Sequence, residues 1–257
     1  MSTLTTSSDP TGRFSSRVAD YRRFRPGYPP ALLDFLAQTC ALSPRSVIAD
    51  IGSGTGLLSQ LFLENGNMVY GVEPNAEMRA AGEQMLGDYP QFVSVAARAE
   101  ATTLPAASVD FVTAGQAFHW FDHDAARREF CRILRPGGWV ALVWNDRQEE
   151  TTPFLREYEQ LLRTWCPDYA GVTHKEIGLA DLQRLFGPNV RQASFTNGQR
   201  LDLAGVTGRL LSSSYAPLAG DPNHAPLLAG LAAAFERHSR DGAVDFLYAA
   251  TLYCVQP

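Results

Sequence analysis

A short glycine-rich turn follows the first long apolar run of the chain and carries groups that could bind a ligand. Asp50 is followed by Gly52, Ser53 and Gly54, and a helix-like stretch begins near Leu57. Glycines let a backbone approach a ligand closely, and the first turn of a helix presents N–H groups that have no partner within the helix. The turn therefore predicts a site for a nucleotide-like ligand.

The residues around this turn distinguish between two classes of ligand. A dinucleotide-binding turn reads Gly-x-Gly-x-x-Gly, and its third glycine lets helix and strand pack closely. Here the glycines are Gly52, Gly54 and Gly56, and Leu57 stands where that third glycine would be. The Asp50 carboxylate would repel a diphosphate and attract an ammonium group. The pattern favours a ligand with an amino-acid group and a ribose, and it disfavours an NAD-dependent dehydrogenase.

An acid at the end of the second apolar run extends the same site. Glu73 follows Gly52 by 21 residues, where an acid in such a fold accepts hydrogen bonds from ribose hydroxyls. An ordinary solvated acid at a strand end is the alternative. Because Glu73 coincides with the glycine turn, we expect it to bind a ribose.

The elements that must position these residues form an alternating pattern. From residue 46 to 145, apolar runs of strand length alternate with helical patterns, which indicates a parallel sheet covered by helices on both faces. The predicted strands span residues 46–51, 68–73, 92–97, 109–115 and 138–144. Pro136-Gly137-Gly138 predicts a break before the last of them.

The elements outside this unit complete the sheet and cover it. Residues 28–40 predict a lead-in helix entered through prolines. Residues 190–203 and 243–255 alternate as strands do, and we expect them to pair at the sheet edge, one of them antiparallel. Residues 147–188 and 203–241 are predicted to form a small helical cap.

Four stretches carry a resemblance to a known family. They are "VIADIGSGTG", "VYGVEPNAEM", "ARAEATTLPAASVDFVTAGQAFHWFD" and "EFCRILRPGGWVALVWN". In this order they resemble the class I methyltransferases that use S-adenosylmethionine, and within these the small-molecule group that includes trans-aconitate-type methyltransferases. The motif-bearing match covers roughly residues 14–146, and the C-terminal third resembles the family only in overall layout.

The resemblance implies a fold and a division of the chain. The fold is α/β and Rossmann-like, with a mostly parallel seven-stranded sheet, helices on both faces, an antiparallel late strand and a small cap. A single domain would span residues 1–257. Its parts would be an N-terminal lid with the lead-in helix at 1–45, a cofactor-binding core at 46–146, and cap helices with the last two strands at 147–257.

The resemblance also implies which residues hold S-adenosylmethionine. Its methionine end would contact the glycine turn and the end of the fourth strand: Asp50, Gly52, Ser53, Gly54, Gly115 and Gln116. Its ribose and adenine would contact residues that follow the second and third strands: Glu73, Pro74, Asn75, Met78, Ala99 and Glu100. Met78 lies on an apolar helix face and could equally be a core residue. Arg98 departs from the family pattern, since an acid or small polar residue is common there.

The N-terminal stretch "FSSRVADYRRFRPGYP" is dense in arginine and aromatic residues. It matches a segment that folds over the cofactor in these methyltransferases. We place Tyr21 and Arg25 against the cofactor carboxylate or the methyl acceptor, because arginine can bind a carboxylate through two parallel hydrogen bonds.

The stretch "GQAFHWFDHD" contains two histidines four residues apart, which would share a face if the segment were one helix. A metal site is disfavoured, since no third ligand is apparent and methyl transfer to oxygen or nitrogen needs none. His119 should lie just beyond the fourth strand, so it is our candidate catalytic residue. It could act as a general base for a hydroxyl or amine acceptor, or hydrogen-bond the substrate.

Composition and motifs weigh against several other function classes. A net charge of −5 does not attract a polyphosphate electrostatically, which disfavours nucleic acid as a partner. Amino-methylating DNA enzymes carry Asn/Asp-Pro-Pro-aromatic where this chain has "GQAFHW". No apolar run approaches the ~18 residues of a membrane span. The four cysteines form no CxxC pair, and with no apolar signal core at the start they indicate a cytoplasmic protein.

The function predicted is S-adenosylmethionine-dependent methyl transfer to an oxygen or nitrogen of a small molecule, with a carboxylate oxygen included among the acceptors. A cofactor-binding regulatory or partner protein without transferase activity is the alternative from another class, and a nucleic-acid methyltransferase is a less favoured one. The regions that would line the acceptor pocket carry no recognisable motif, so neither the acceptor nor the oligomeric state is predicted.

Overall fold

The strands of the structure form one seven-stranded sheet. A computed structural model describes residues 24–171 and 177–257. The strands are β1 (Val47–Ile51), β2 (Met68–Val72), β3 (Phe92–Val95), β4 (Val109–Gly115), β5 (Leu134–Arg147), β6 (Arg191–Leu201) and β7 (Val244–Val255). Their order across the sheet is β3-β2-β1-β4-β5-β7-β6.

The helices lie between these strands. They are α1 (Ala31–Cys40), α2 (Leu57–Glu64), α3 (Ala76–Leu86), α4 (His123–Ile133), α5 (Pro153–Trp165), α6 (Leu179–Phe186), α7 (Leu203–Leu211) and α8 (His224–His238). Two short 3-10 helices span Phe118–Trp120 and Pro167–Gly171. In the described part of the chain, no helix combines the length and the apolar character that crossing a bilayer requires.

The pairing confirms the predicted fold class. The strands from β1 to β5 pair in parallel, and β7 runs antiparallel to both β5 and β6. The two late strands therefore pair at the sheet edge, as expected, although α7 and α8 separate them in sequence instead of a tight turn. The chain order of the strands reverses between β1 and β4. Ligands of open α/β sheets bind beyond the carboxyl ends of the strands at such a point.

Two apolar layers cover the sheet, and a third apolar cluster stands beside it. One face packs against α4 and α6, and the other against α1, α2 and α3. The third cluster joins α5, α7 and α8 to the start of β7, around Tyr158 and Phe246. Although α6 falls in a region expected to form the cap, it packs on the sheet through Leu182 and Phe186. The cap is therefore built from α5, α7 and α8.

Strand β5 is longer than the apolar pattern predicts. It begins at Leu134 and continues through the expected break, where its pairing shifts from Val109↔Leu134 to Phe111↔Trp139. Gly137 has φ +80° in this irregular stretch. At the other end, the polar residues up to Arg147 stay in the strand because they pair with β7. An apolar run could not indicate that extension.

Candidate active site at the carboxyl edge of the sheet

A cleft opens beyond the carboxyl ends of β1, β2 and β4. Its lining brings together residues that are far apart in sequence: Gly52, Gly54, Glu73, Pro74, Asn75, Met78, Arg98, Ala99, Glu100, Gly115, Gln116, Ala117, Trp120 and Phe121. A smaller cavity shares three glycines with the cleft and adds Tyr28, Asp50, Ser53, Thr55, Leu57 and Leu58. Most of the predicted binding residues thus line one continuous region.

The glycine turn adopts a conformation that other residues rarely take. Gly52 and Gly54 have φ values of +68° and +56°, in the left-handed region that glycine enters without steric cost. The N–H groups of Gly52 and Ser53 both donate to the Val72 carbonyl, at 2.8 and 3.2 Å. A Cβ on Gly52 would lie 2.7 Å from the Ala117 Cβ. The turn is therefore pressed against the loop that follows β4.

Glu73 is fixed by backbone donors at the edge of the cleft. Its side chain is buried, its Oε2 accepts from the Gly54 N–H at 2.9 Å, and its Oε1 accepts from the Asn75 N–H at 2.8 Å. Burial raises the pKa of Glu73, and the two N–H groups and Arg79 only partly oppose this. Each carboxylate oxygen keeps a second lone pair, so the group can still accept hydrogen bonds from a ligand.

Asp50 lies fully buried beneath the turn. Ser59 Oγ donates to its Oδ2 at 2.6 Å, and Thr113 Oγ1 donates to its Oδ1 at 3.1 Å. Burial raises the pKa of Asp50 to about 6, and the two hydroxyl hydrogen bonds offset only part of that effect. A cationic ligand group in the adjacent cavity would favour the ionised carboxylate.

The raised pKa of Asp50 predicts how the stability of the ligand-free protein depends on pH. The folded state holds this proton more tightly than the unfolded chain, where the pKa is 3.8. The contribution of Asp50 to the free energy of unfolding should therefore fall as pH rises from about 4 to 6, by ~3 kcal/mol. We expect Asp50→Asn to melt higher than the wild type at pH 8 and equally at pH 4. Thermal melts at both pH values test this expectation. The same difference in Tm between Asp50→Asn and the wild type at pH 4 and at pH 8 would contradict it.

The opposite side of the cleft is built from a capped helix start and an aromatic loop. The Asn75 side chain caps α3 by accepting from the N–H groups of Glu77 and Met78, at 3.0 and 2.8 Å. Met78 is buried and also lines the cleft, so it is both a core and a lining residue. Glu100 Oε1 accepts from the Asp122 N–H at 3.0 Å, which ties this acid to the loop carrying the aromatic lining residues.

Arg98, the residue that departs from the family pattern, also lines the cleft. Its Nε lies 3.4 Å from Glu100 Oε2. Both side chains can therefore present polar groups at this end of the cleft.

Gln116 directly follows β4 and has a strained backbone conformation. Its φ is +55°, which is uncommon outside glycine and clusters at functional sites. Its N–H donates to the Val143 carbonyl and its Nε2 donates to the Asn145 carbonyl, each at 2.9 Å. These bonds keep Gln116 at the cleft and connect it to the extended end of β5.

Sequence reasoning did not single out Tyr28, Ala117 or Phe121 as lining residues. A Cβ on Gly115 would lie 2.4 Å from the Tyr28 hydroxyl oxygen, so the segment before α1 packs directly on the end of β4. Tyr28 belongs to the arginine- and aromatic-rich N-terminal stretch, and this was the signal in the sequence that could have indicated it. Ala117 and Phe121 follow β4 within a few residues. Because ligands of such sheets bind beyond the carboxyl ends of the strands, their position in the sequence could have indicated them.

Among the described residues, neither Arg25 nor the candidate base His119 lines the cleft. Tyr21 lies outside the described residues. Arg25 contacts the cap, where its Nε donates to Ser212 Oγ at 3.1 Å. His119 is half-buried in the first short 3-10 helix, with its ring 4.9 Å from that of Trp120. Its neighbours line the cleft, but His119 is not among the lining residues.

The two histidines do not lie on one helix, because His123 begins α4 and stacks on Phe118 at a centroid distance of 4.8 Å. Within residues 24–171 and 177–257, no group of three or more histidine, cysteine or acidic side chains is arranged to hold a metal ion.

Comparison with known proteins agrees with this architecture. Residues 49–142 match the family described as a methyltransferase domain. An uncharacterized methyltransferase of Mycobacterium tuberculosis is 40% identical over 149 residues, which are 58% of this chain and 58% of that protein. The chain thus matches somewhat more than half of this relative's length.

Solved structures share the fold at low identity. A candidate type II methyltransferase from Anaeromyxobacter dehalogenans has a TM-score of 0.65 and 23% identity, covering 91% of this chain and 98% of that one. A phosphoethanolamine N-methyltransferase of Haemonchus contortus was solved with phosphomonomethylethanolamine and S-adenosylhomocysteine. It has a TM-score of 0.56 and 16% identity, covering 95% of this chain and 57% of that one. These matches show that residues 49–142 are similar to a methyltransferase domain and that the chain shares its fold with solved methyltransferases.

Proposed function

We propose that the protein is an S-adenosylmethionine-dependent methyltransferase that acts on a small-molecule acceptor. The observation that carries the proposal is the Glu73 carboxylate, which the Gly54 and Asn75 N–H groups hold at the cleft edge. A carboxylate fixed there, beside a glycine turn at the switch point of the sheet, suits a ribose. The family match at residues 49–142 supports the same class of cofactor.

The chain's own residues fit the amino-acid end of this cofactor. Thr55 Oγ1 is buried and has no hydrogen-bond partner among the residues that the structure describes. It lines the small cavity together with Asp50 and Ser53. The cavity thus offers a carboxylate to the ammonium group of the cofactor and hydroxyls to its carboxylate. Gly52 and Gly115 add no side chain to the lining of this cavity, and a Cβ on either would collide with a neighbour.

The proposed mechanism assigns positioning to the protein and the electrophile to the cofactor. S-adenosylmethionine, when bound, supplies a methyl group on a sulfonium. Asp50 would orient the ammonium end, Glu73 the ribose, and the aromatic lining residues Trp120 and Phe121 would exclude water. Direct displacement then depends mainly on alignment of the acceptor.

Three of the predicted residues keep their proposed roles at the acceptor side. Tyr21 and Arg25 would contact the cofactor carboxylate or the acceptor. His119 would act as a general base only if the acceptor is a hydroxyl or an amine, since a carboxylate acceptor needs no proton removed. Partial burial of His119 beside Trp120 supports a position near the cleft.

A binding measurement followed by a product assay tests the proposal. Calorimetry of the full chain should show saturable binding of S-adenosylmethionine, and the affinity should rise as pH increases through about 6 because ionised Asp50 attracts the ammonium. Release of S-adenosylhomocysteine over a panel of metabolites would then demonstrate transfer. Absence of binding would contradict the proposal. Binding without turnover over the panel would favour the alternative, a cofactor-binding regulatory or partner protein.

A further inference from the structure

A cluster of arginine and tyrosine side chains lies beside the proposed cofactor cleft. The arginine–tyrosine cluster, as we call it, consists of Arg25, Arg147, Arg209, Tyr158 and Tyr215. Arg147 ends β5, two residues beyond the Asn145 carbonyl that accepts from Gln116 of the cleft. An extended strand rises ~3.4 Å per residue, so these two backbone positions are about 7 Å apart.

Arg209 is a buried charge with no acidic partner. It is 6% exposed, its Nε donates to the Tyr248 hydroxyl at 2.8 Å, and its Nη1 donates to Ser213 Oγ at 3.1 Å. Its guanidinium carbon lies 5.5 Å from the centroid of the Phe246 ring. In the described part of the chain, Arg209 has no carboxylate within ion-pair distance. A buried charge is costly unless it is paired, so this site favours an anion.

Arg147 leaves donor capacity unused beside this charge. One of its terminal nitrogens is bound to Glu159, a carboxylate that Arg163 shares at 2.8 Å. The Arg147 Nε and the Tyr158 hydroxyl are both buried, and neither has a hydrogen-bond partner among the described residues. The Arg147 guanidinium carbon is 5.0 Å from the Tyr158 ring centroid. Buried donors without partners are rare in proteins, and a ligand oxygen would satisfy them.

Two guanidinium groups of the cluster meet at Ser213, and the charges of all three arginines act on Tyr215. Burial alone would raise the pKa of Tyr215, but Arg147, Arg209 and Arg25 lower it, and the net shift is downward. Ser213 Oγ accepts from Arg25 at 3.4 Å and from Arg209 at 3.1 Å, which joins two of the guanidinium groups. Arg25 and Arg209 therefore meet at the buried Ser213, and the charge of Arg147 acts on the half-buried Tyr215 beside it.

We propose that the arginine–tyrosine cluster binds an oxyanion of the methyl acceptor, either a carboxylate or a phosphate group. The identification of the ligand as a methyl acceptor rests on the proposed function. Binding of an anion at the cluster does not require the cofactor. Guanidinium groups bind both oxyanions through paired hydrogen bonds. The anion would anchor the acceptor at the cluster and leave the rest of the molecule to reach the cleft. The acceptor is thus a small anionic metabolite.

Calorimetric titration of the full chain with citrate, and separately with inorganic phosphate, tests this proposal at constant ionic strength. We expect saturable binding of at least one probe, weakened at least tenfold by Arg209→Gln. Tyr158→Phe should weaken it a few-fold without lowering the Tm, because the lost hydroxyl has no hydrogen-bond partner among the described residues. Arg128→Gln is the matched control, since it removes the same charge from an exposed position on α4 and should leave binding unchanged.

The outcomes separate this inference from the proposed function. Binding of citrate alone identifies a carboxylate site, binding of phosphate alone a phosphate site, and binding of both a general oxyanion site. Failure of both probes to bind up to about 10 mM, an affinity worth less than about 3 kcal/mol, would overturn the proposal. Equal weakening by Arg209→Gln and Arg128→Gln, or unchanged binding in Tyr158→Phe and Arg209→Gln, would also overturn it. Calorimetry with S-adenosylmethionine on the same preparation reports on the proposed function independently.

Discussion

Replacement of Glu73 by alanine is expected to weaken binding of S-adenosylmethionine by about 100-fold or more. The carboxylate would accept hydrogen bonds from two ribose hydroxyls, and hydrogen bonds to a charged group contribute ~1.5–3 kcal/mol each. Loss of both removes at least ~3 kcal/mol, and every 1.4 kcal/mol is about tenfold in affinity. The Gly54 and Asn75 N–H groups would also lose their acceptor, which loosens the turn. Calorimetry with the purified variant measures the change.

A second glutamate provides the control for this variant. Glu64 is exposed at the end of α2 and its side chain accepts from Gln60. Glu64→Ala removes the same charge from the helix that follows the glycine turn, and it should bind S-adenosylmethionine as the wild type does. If Glu73→Ala kept the wild-type affinity, or if both variants lost it equally, Glu73 would not be the ribose ligand.

Replacement of Gly52 by alanine should abolish cofactor binding and lower the Tm by about 10 °C. Alanine at φ +68° pays ~1–2 kcal/mol for the left-handed conformation. Its Cβ would also lie 2.7 Å from the Ala117 Cβ, and relief of such a clash costs ~1–3 kcal/mol. For a domain of this size, each kcal/mol lowers the Tm by roughly 2–4 °C. Since Gly52 and Ala117 both line the cleft, any relaxation of this clash displaces the lining.

Substitution of Gly220 by alanine is the control that measures backbone strain without a steric clash. Gly220 has φ +95° but no described neighbour within 4 Å of a Cβ, so Gly220→Ala pays only for the left-handed conformation, ~1–2 kcal/mol. We expect a Tm only a few degrees lower and unchanged cofactor binding, by thermal melting and calorimetry. An equal loss of Tm in the two variants would mean that the contact with Ala117 contributes nothing.

Much of the architecture could be predicted because it is encoded in short, local patterns. Strands buried on both faces appear as continuous apolar runs, so β1, β2 and β4 were placed almost to the residue. Since the carboxyl ends of parallel strands meet at one edge, Gly52 and Glu73 could be expected to lie together before any coordinates were known. The cleft lining bears out that expectation of proximity, while their contacts with a cofactor remain predictions.

Other features escaped prediction because their partners are far apart in sequence. Asn145, Asp146 and Arg147 are polar, and they remain in β5 only because β7 pairs with them. Helix α6 has an amphipathic sequence that would suit a cap or a sheet face, and its contact with the first apolar layer decides between the two. A periodic pattern shows which face of an element is apolar but not which element covers it.

The sequence alone determined the parallel sheet, the glycine turn at its switch point and the acids that surround that turn. These depend on the periodicity of side chains and on the conformations open to glycine, which are properties of a few consecutive residues. Only the tertiary structure brought Arg25 and Arg209 to one serine, buried Asp50 beneath the turn, and pressed Tyr28 against Gly115. Burial and charge are set by what long-range packing places around a group, and no local pattern records them.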